Sequence, residues 1–268
     1  MAASVQLMDP VNQSPPIAPR QAHTRLVHGY STEDPWFWLR HRDDPAVLEY
    51  LRAENEWTEQ STKHLKDLRE HIFIEIKSRI QEDDQSVPVP KGVWEYGVRT
   101  GEGLQYPMHV RQLRGDPTSE EVLLDENDLA EGSDYFALGD LSVSPDHRLL
   151  AYTIDDQGNE EYELTVVDLE TGEVLDAGVS GLSYGLVWAN DSKTLFMVLT
   201  DEARRPDRVI RHQVGNDPKL DVTVFTEDDE RFWVGIGATR SEQFIVIGSE
   251  SKMSSEYWLL DASDGSPL

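Results

Sequence analysis

SVSPDHRLLAYTIDD (Ser142–Asp156), VWANDSKTLFMVLTD (Val187–Asp201) and IGATRSEQFIVIGSE (Ile236–Glu250) share one pattern, a polar turn followed by an apolar strand. Asp146, Asp191 and Ser241 hold equivalent turn positions, 45 and then 50 residues apart. Further strands ending in polar turns follow, as in EYELTVVDLETGEVL after the first copy and SEYWLLDASDGSPL after the third. An earlier, looser copy spans Val93 to Asp125. A repeat of this length with about four strands per copy is the signature of a β-propeller blade. The reading is a mainly β fold, an open arc of about four blades at roughly 93–133, 134–180, 181–232 and 233–268. An open arc leaves one sheet face uncovered at each end.

Upstream the periodicity changes. Residues 1–25, with Pro10, Pro15, Pro16 and Pro19, read as an extended arm. Residues 26–85 read as a helical region. Asp44 before Pro45 pairs an N-cap with a proline at the first helical position, and the helix is predicted to run to about Lys63. Leu65, Leu68, Ile72, Ile76 and Ile80 then recur three or four apart, the spacing of one helix face, with Pro88 and Pro90 as its stop.

Between the arm and the first helix stand Trp36, Phe37, Trp38 and Leu39, with charge on both sides. Leaving such side chains wet forfeits about 1.5 to 3 kcal/mol each, so the four together stand for roughly 6 to 12. That rivals the whole net stability of a domain, about 5 to 15 kcal/mol. These four, with Leu65, Leu68, Ile72 and Ile76, are the candidate residues of an interface.

The 268 residues suffice for a sizeable core. The net charge is −27, and Asp116–Asp176 holds nineteen acids against one base, Arg148. Such a field repels nucleic acid and anionic membranes and attracts basic partners, although acidic loops also serve simply to solubilise a surface. There is no apolar run of membrane-spanning length and no basic start followed by an apolar core, so the cytoplasm is the expected compartment. Zero cysteines excludes disulfides, Cys-ligated zinc and thiol catalysis.

HG at His28, DPWFWLR, DDPAVLEYLRAEN, RIQEDDQSVPVPKG, LLDENDLAEG and SPDHRLLAYTIDDQGNEEYELTVVDLETGE, in this order, closely resemble the N-terminal part of the oligopeptidase B branch of the prolyl oligopeptidase family of serine peptidases. The resemblance covers nearly the whole chain from about residue 23. It implies an arm and helices packed on an α/β-hydrolase domain, and a seven-bladed propeller capping the active site. It also implies entry limited to short unfolded peptides and cleavage after Arg or Lys. In that family the catalytic Ser, Asp and His, and the acids that receive the basic side chain, lie in the hydrolase domain, which this sequence does not match. The partners implied are that domain, on a separate or missing chain, and short basic peptides.

Other motifs carry less. Gly181-Leu182-Ser183-Tyr184-Gly185 fits G-x-S-x-G, but the nucleophile elbow needs a strand before it and a helix after it. Here another strand follows, so Ser183, Asp207 and His212 are not expected to form a triad. His64 and His71 share a predicted helix face but stand seven apart, where metal ligands want four. Gly235-Ile236-Gly237 opens a blade rather than a dinucleotide-binding helix. Asp155-Asp156, Glu160-Glu161 and Asp228-Asp229 read as acidic surface loops. No catalytic residue, metal ligand or cofactor is expected. The leading expectation is a gating propeller portion of a peptidase, inactive alone; the alternative is a stand-alone acidic module that binds basic peptides or proteins.

Overall fold

The structure is a computed structural model and describes residues 14–263. It divides into two compact units that meet between Gln81 and Glu82.

In the first unit, β1 (Thr24–Val27) and β2 (Tyr30–Glu33) form an antiparallel hairpin. Its two-residue turn, His28-Gly29, has positive φ at both positions (50° and 82°), the turn geometry that matches strand twist. No strand is expected here from apolar patterning, since Thr24–Val27 and Tyr30–Glu33 are largely polar and exposed throughout. A 3-10 turn at Phe37–Arg40 leads to α1 (Pro45–Thr62). Asp44 caps it, its carboxylate accepting from Ala46 N at 2.8 Å with Pro45 beginning the helix, as expected. Helix α2 (Lys66–Lys77) follows after a turn at Lys63–Leu65. It stops ten residues short of Pro88: Ser78 Oγ turns back onto the Glu75 carbonyl at 2.9 Å, and Ile80 falls outside it. No α2 residue is buried.

The second unit is a series of antiparallel meanders. The first sheet holds β3 (Asp84–Gln85), β4 (Val89–Lys91), β5 (Trp94–Thr100), β6 (Met108–Leu113) and β7 (Asp116–Asp125), and a five-residue helix, α3 (Glu126–Ala130), closes it. The second holds β8 (Ala137–Val143), β9 (Leu149–Asp155), β10 (Glu163–Asp168) and β11 (Val174–Ala177). The third holds β12 (Leu182–Trp188), β13 (Thr194–Thr200), β14 (Pro206–Gln213) and β15 (Val222–Thr226). In the fourth, β16 (Trp233–Ala238), β17 (Phe244–Glu250) and β18 (Ser255–Asp261) make three strands among the described residues. In this unit extended chain therefore begins at Asp84, before the Val93 expected, because β3 pairs with β5 and β4 folds onto β5 as a hairpin around Gly92-Val93.

Each core is shared by two neighbouring sheets. Leu124 of the first meets Val143, Leu150 and Tyr152 of the second. Leu164 and Val166 of the second meet Leu186, Leu195 and Met197 of the third. Phe196, Val198 and Val209 of the third meet Val234, Ile245 and Ile247 of the fourth. Strand β13 shows the logic: its alternate residues face opposite neighbours, so Leu195 to Val198 are all fully buried. The fold is thus mainly β, a partial propeller.

The inner hairpins close at equivalent points, Ser144 N to Leu149 O, Ala189 N to Thr194 O and Thr239 N to Phe244 O. These match the 45 and 50 residue steps of the turns. They also correct the alignment begun at Ile236: Val187 corresponds to Gly237, and Gly185 to Gly235.

Candidate functional site: interface residues and a recess between sheets

The interface candidates of the first unit separate in their environments. Trp38 is buried (7% exposed), its Nε1 donating to the Pro19 carbonyl at 2.9 Å and its ring edge-on to Tyr50. Trp36 remains 45% exposed beneath the Arg20 guanidinium, 5.1 Å from the ring centroid. Phe37 is half-buried, stacked on His23 at 3.8 Å and flanked by Arg25 and Arg40. Leu39 is half-buried. One of the four aromatic-knot residues is thus fully satisfied inside the unit. Leu65, Leu68, Ile72 and Ile76 are exposed, and so are Phe73 and Ile74, a wider apolar surface than the one-face pattern indicated.

In the second unit, a recess of about 300 Å³ opens where the second, third and fourth sheets adjoin. Ser142 of β8, Leu186 and Trp188 of β12, Ile236 and Gly237 of β16, and Lys91 of β4 line it. Lys91 Nζ reaches Glu242 Oε1 at 3.1 Å, an ion pair joining the first sheet to the fourth. Asp140 also borders the recess. Burial pushes its carboxyl up, against the backbone N–H groups of Leu141, Gly185 and Leu186 that favour its ionised form. It is therefore engaged in tying the second sheet to the third.

The serine motif is placed plainly. Ser183 lies within β12, followed by β13 rather than by a helix. His212 is fully buried with both ring nitrogens occupied, Nε2 at 2.8 Å from Asp176 and Nδ1 at 2.6 Å from Asp221. Neither nitrogen is open to a serine hydroxyl. Asp176 also accepts from Gly215 N, so this cluster pins the outer edge of the second sheet to the third. No spacing pattern marks it, since its members are 36 and 9 residues apart.

His64 lies in the 3-10 turn and His71 in α2, so the expected shared helix face does not exist. Gly235 and Gly237 lie inside β16. Asp155 is a buried acceptor rather than a surface acid, holding Gln157, Gly158 and Glu160 N–H groups at 2.8 Å. Among the described residues, no three His, Asp or Glu are grouped to hold a metal. None of their helices is long and apolar enough to cross a membrane.

The fourth sheet turns one face to no neighbour among the described residues. Trp233, Tyr257 and Leu259 stand exposed on it, while Trp258 and Leu260 turn the other way, Trp258 meeting Phe225 of the third sheet at 4.5 Å. Gly185 and Gly235 make the contrast sharp. A Cβ at Gly185 would lie 3.0 Å from Ile236 of the next sheet; at its counterpart Gly235 nothing lies within 4 Å.

Nearest-neighbour meanders with an unmatched terminal face define a segment of an open β-propeller. The sequence matches the family described as prolyl oligopeptidase, N-terminal beta-propeller domain, over residues 15–268. The chain belongs to that family. It is 36% identical to dipeptidyl aminopeptidase BI of Pseudoxanthomonas mexicana, with 96% of this chain and 39% of the relative covered. It is 34% identical to protease 2 of Moraxella lacunata, over 94% of this chain and 37% of that protein. The solved oligopeptidase B of Leishmania major superposes with a TM-score of 0.87 at 32% identity, covering 94% of this chain and 38% of that one. The chain thus spans well under half the length of the relatives it matches, and what it matches is their N-terminal propeller portion.

Proposed function

We propose that this chain is the gating propeller portion of an oligopeptidase B-like serine peptidase, acting in the cytoplasm. The complete enzyme would cleave short peptides after Arg or Lys with catalytic groups on a hydrolase domain outside this sequence. The propeller would limit access to extended peptides, and the chain alone would be inactive. The observation that carries this reading is the Gly185–Gly235 pair. Glycine inside a strand costs roughly 0.5 to 1 kcal/mol against Ala, and in the third sheet that cost is answered by the close approach of Ile236. In the fourth sheet no described residue answers it, and Trp233, Tyr257 and Leu259 are left wet beside it. In the first unit, Trp36, Phe37 and Leu39, anchored through Trp38, together with Leu65, Leu68, Ile72 and Ile76, would dock on the hydrolase domain.

The test has two arms. The purified chain is incubated with an Arg-ended chromogenic peptide, and separately with the hydrolase domain of a relative. No turnover and a stable complex, with Trp36 fluorescence altered on association, are expected. Turnover abolished by Ser183→Ala would refute the reading outright.

A further inference from the structure

The described residues hold an aromatic feature that neither the sheet cores nor the docking faces use. In β12 the pairing register with β13 shifts between Leu182 and Leu186, and Gly185 in this bulge has φ 119°. Bulges re-aim side chains, and this one turns Tyr184 outward, 61% exposed from within a strand. The ring is nevertheless fixed. Tyr162 Oη donates to Tyr184 Oη at 2.7 Å, with ring centroids 5.1 Å apart. Tyr162 is itself buried and wedged against Gly139, where a Cβ would lie 2.5 Å from its ring. A second bulge, between Leu138 and Asp140 of β8, accompanies that glycine.

Tyr135 supplies a second ring, 45% exposed, packed over Gly158. It lies near enough to Tyr162 to act electrostatically on its hydroxyl. Gly158 belongs to the loop Asp155–Glu161, folded around buried Asp155 and presenting Asp156, Glu160 and Glu161 to solvent. This loop already holds one guanidinium of the chain: Arg204 Nη2 lies 3.5 Å from Glu161 Oε1.

We propose that Tyr135 and Tyr184, with the loop Asp156–Glu161, form a shelf that binds cationic side chains of extended peptides, guanidinium groups above all. A ring face held in place and open to water is what a cation–π contact requires, and adjacent carboxylates give the same cation a charge-assisted partner. The field selects its sign: Asp116–Asp176 contains one Arg and nineteen acids, which disfavours anionic ligands. The shelf deepens the peptide-admitting reading above, on which its biological role rests.

The test is fluorescence anisotropy of the full chain with a labelled, unstructured Arg-containing peptide, and with the same peptide carrying citrulline in place of Arg. The Arg peptide is expected to bind and the citrulline peptide to bind several-fold more weakly. Tyr184→Leu and Tyr135→Leu, which leave the charge unchanged, are each expected to weaken binding about twofold to fivefold. Tyr184→Phe, which keeps the ring but loses the hydroxyl held by Tyr162, is expected to bind between wild type and Tyr184→Leu. Asp156→Asn with Glu160→Gln is expected to weaken binding further and to flatten its salt dependence. Equal binding of the two peptides, absence of binding, or wild-type affinity in the double leucine variant overturns the proposal. The peptide comparison stands on wild-type protein, so it decides even if a variant misfolds. Complex formation with a hydrolase domain is a separate readout, so failure of the shelf and failure of the peptidase reading are distinguishable.

Discussion

Tyr96 Oη lies 2.6 Å from His147 Nδ1 across the seam between the first and second sheets. His147 is held there by more than this contact. Its carbonyl accepts from Arg111 Nη1 at 2.7 Å, its backbone has φ 62°, and its Nε2 lies 2.9 Å from where a Cβ would stand on Gly92. Burial lowers its pKa from the usual 6.5, and the charges of Lys91 and Arg111 push the same way against Asp146 and Glu242. The neutral ring is the form that accepts from the tyrosine.

Acidification is therefore expected to loosen this seam. A base whose folded-state pKa is depressed stabilises the fold above its unfolded value, and that contribution is lost as pH falls from about 6.5 through the lower folded value. Hydrogen exchange of β5, compared between pH 7.5 and 5.5, should speed up at the lower pH beyond the intrinsic change. His147→Gln should remove that excess; an excess that persists in the variant would assign it elsewhere.

Phe196→Ala is expected to cost about 3 to 5 kcal/mol, since its ring is fully enclosed between the third and fourth sheets. Exposed Val222→Ala, on the neighbouring edge strand, should change stability by less than about 1 kcal/mol. Urea unfolding followed by tryptophan fluorescence compares the two. Similar losses would contradict the seam described here.

His212→Ala removes the partner of two carboxylates, Asp176 and Asp221. Leaving a buried hydrogen-bonding group without its partner costs roughly 1 to 3 kcal/mol, so a clear drop in the urea midpoint is expected. Peptide hydrolysis is not the relevant readout, because the ring is enclosed.

Gly139→Ala and Gly235→Ala separate two kinds of glycine. At Gly139 the methyl would meet the Tyr162 ring and the Thr153 hydroxyl within 2.6 Å, whereas at Gly235 it meets open space. The first should destabilise the chain, and the second should leave it unchanged or slightly firmer. A loss of thermal stability at Gly235 as large as at Gly139 would show that the fourth sheet's free face is already filled.

Self-association is expected at high concentration, driven by the wet face of the fourth sheet. Replacing Trp233 and Leu259 with Lys should move the size-exclusion peak toward the monomer. A concentration-independent monomer with both residues intact would count against that face as a contact surface.

The turns at Asp146, Asp191 and Ser241 were legible because the inner hairpins all close in one way, so polar turn and apolar strand recur at blade length. Asp44 before Pro45 was legible because capping is local. The segment quoted from Ile236 starts one residue early, as the 50-residue step from Asp191 to Ser241 and the closure Thr239 N to Phe244 O both require. The end of α2 was missed because Ser78 is a weaker stop signal than proline. Tyr184 could be found from no local pattern: its exposure follows from a bulge, and its anchoring from Tyr162, 22 residues away, which bridges Leu182 of the same strand. Trp38 could not be told from Trp36 in sequence, since the distinguishing partner is the carbonyl of Pro19 in the arm.

The three cores, each shared by adjacent meanders only, bear on how such a protein is made. Contacts between neighbours let stability accrue unit by unit, and domains mature as synthesis proceeds from the N-terminus. The second and third meanders can join as soon as both have left the ribosome, before the fourth is complete.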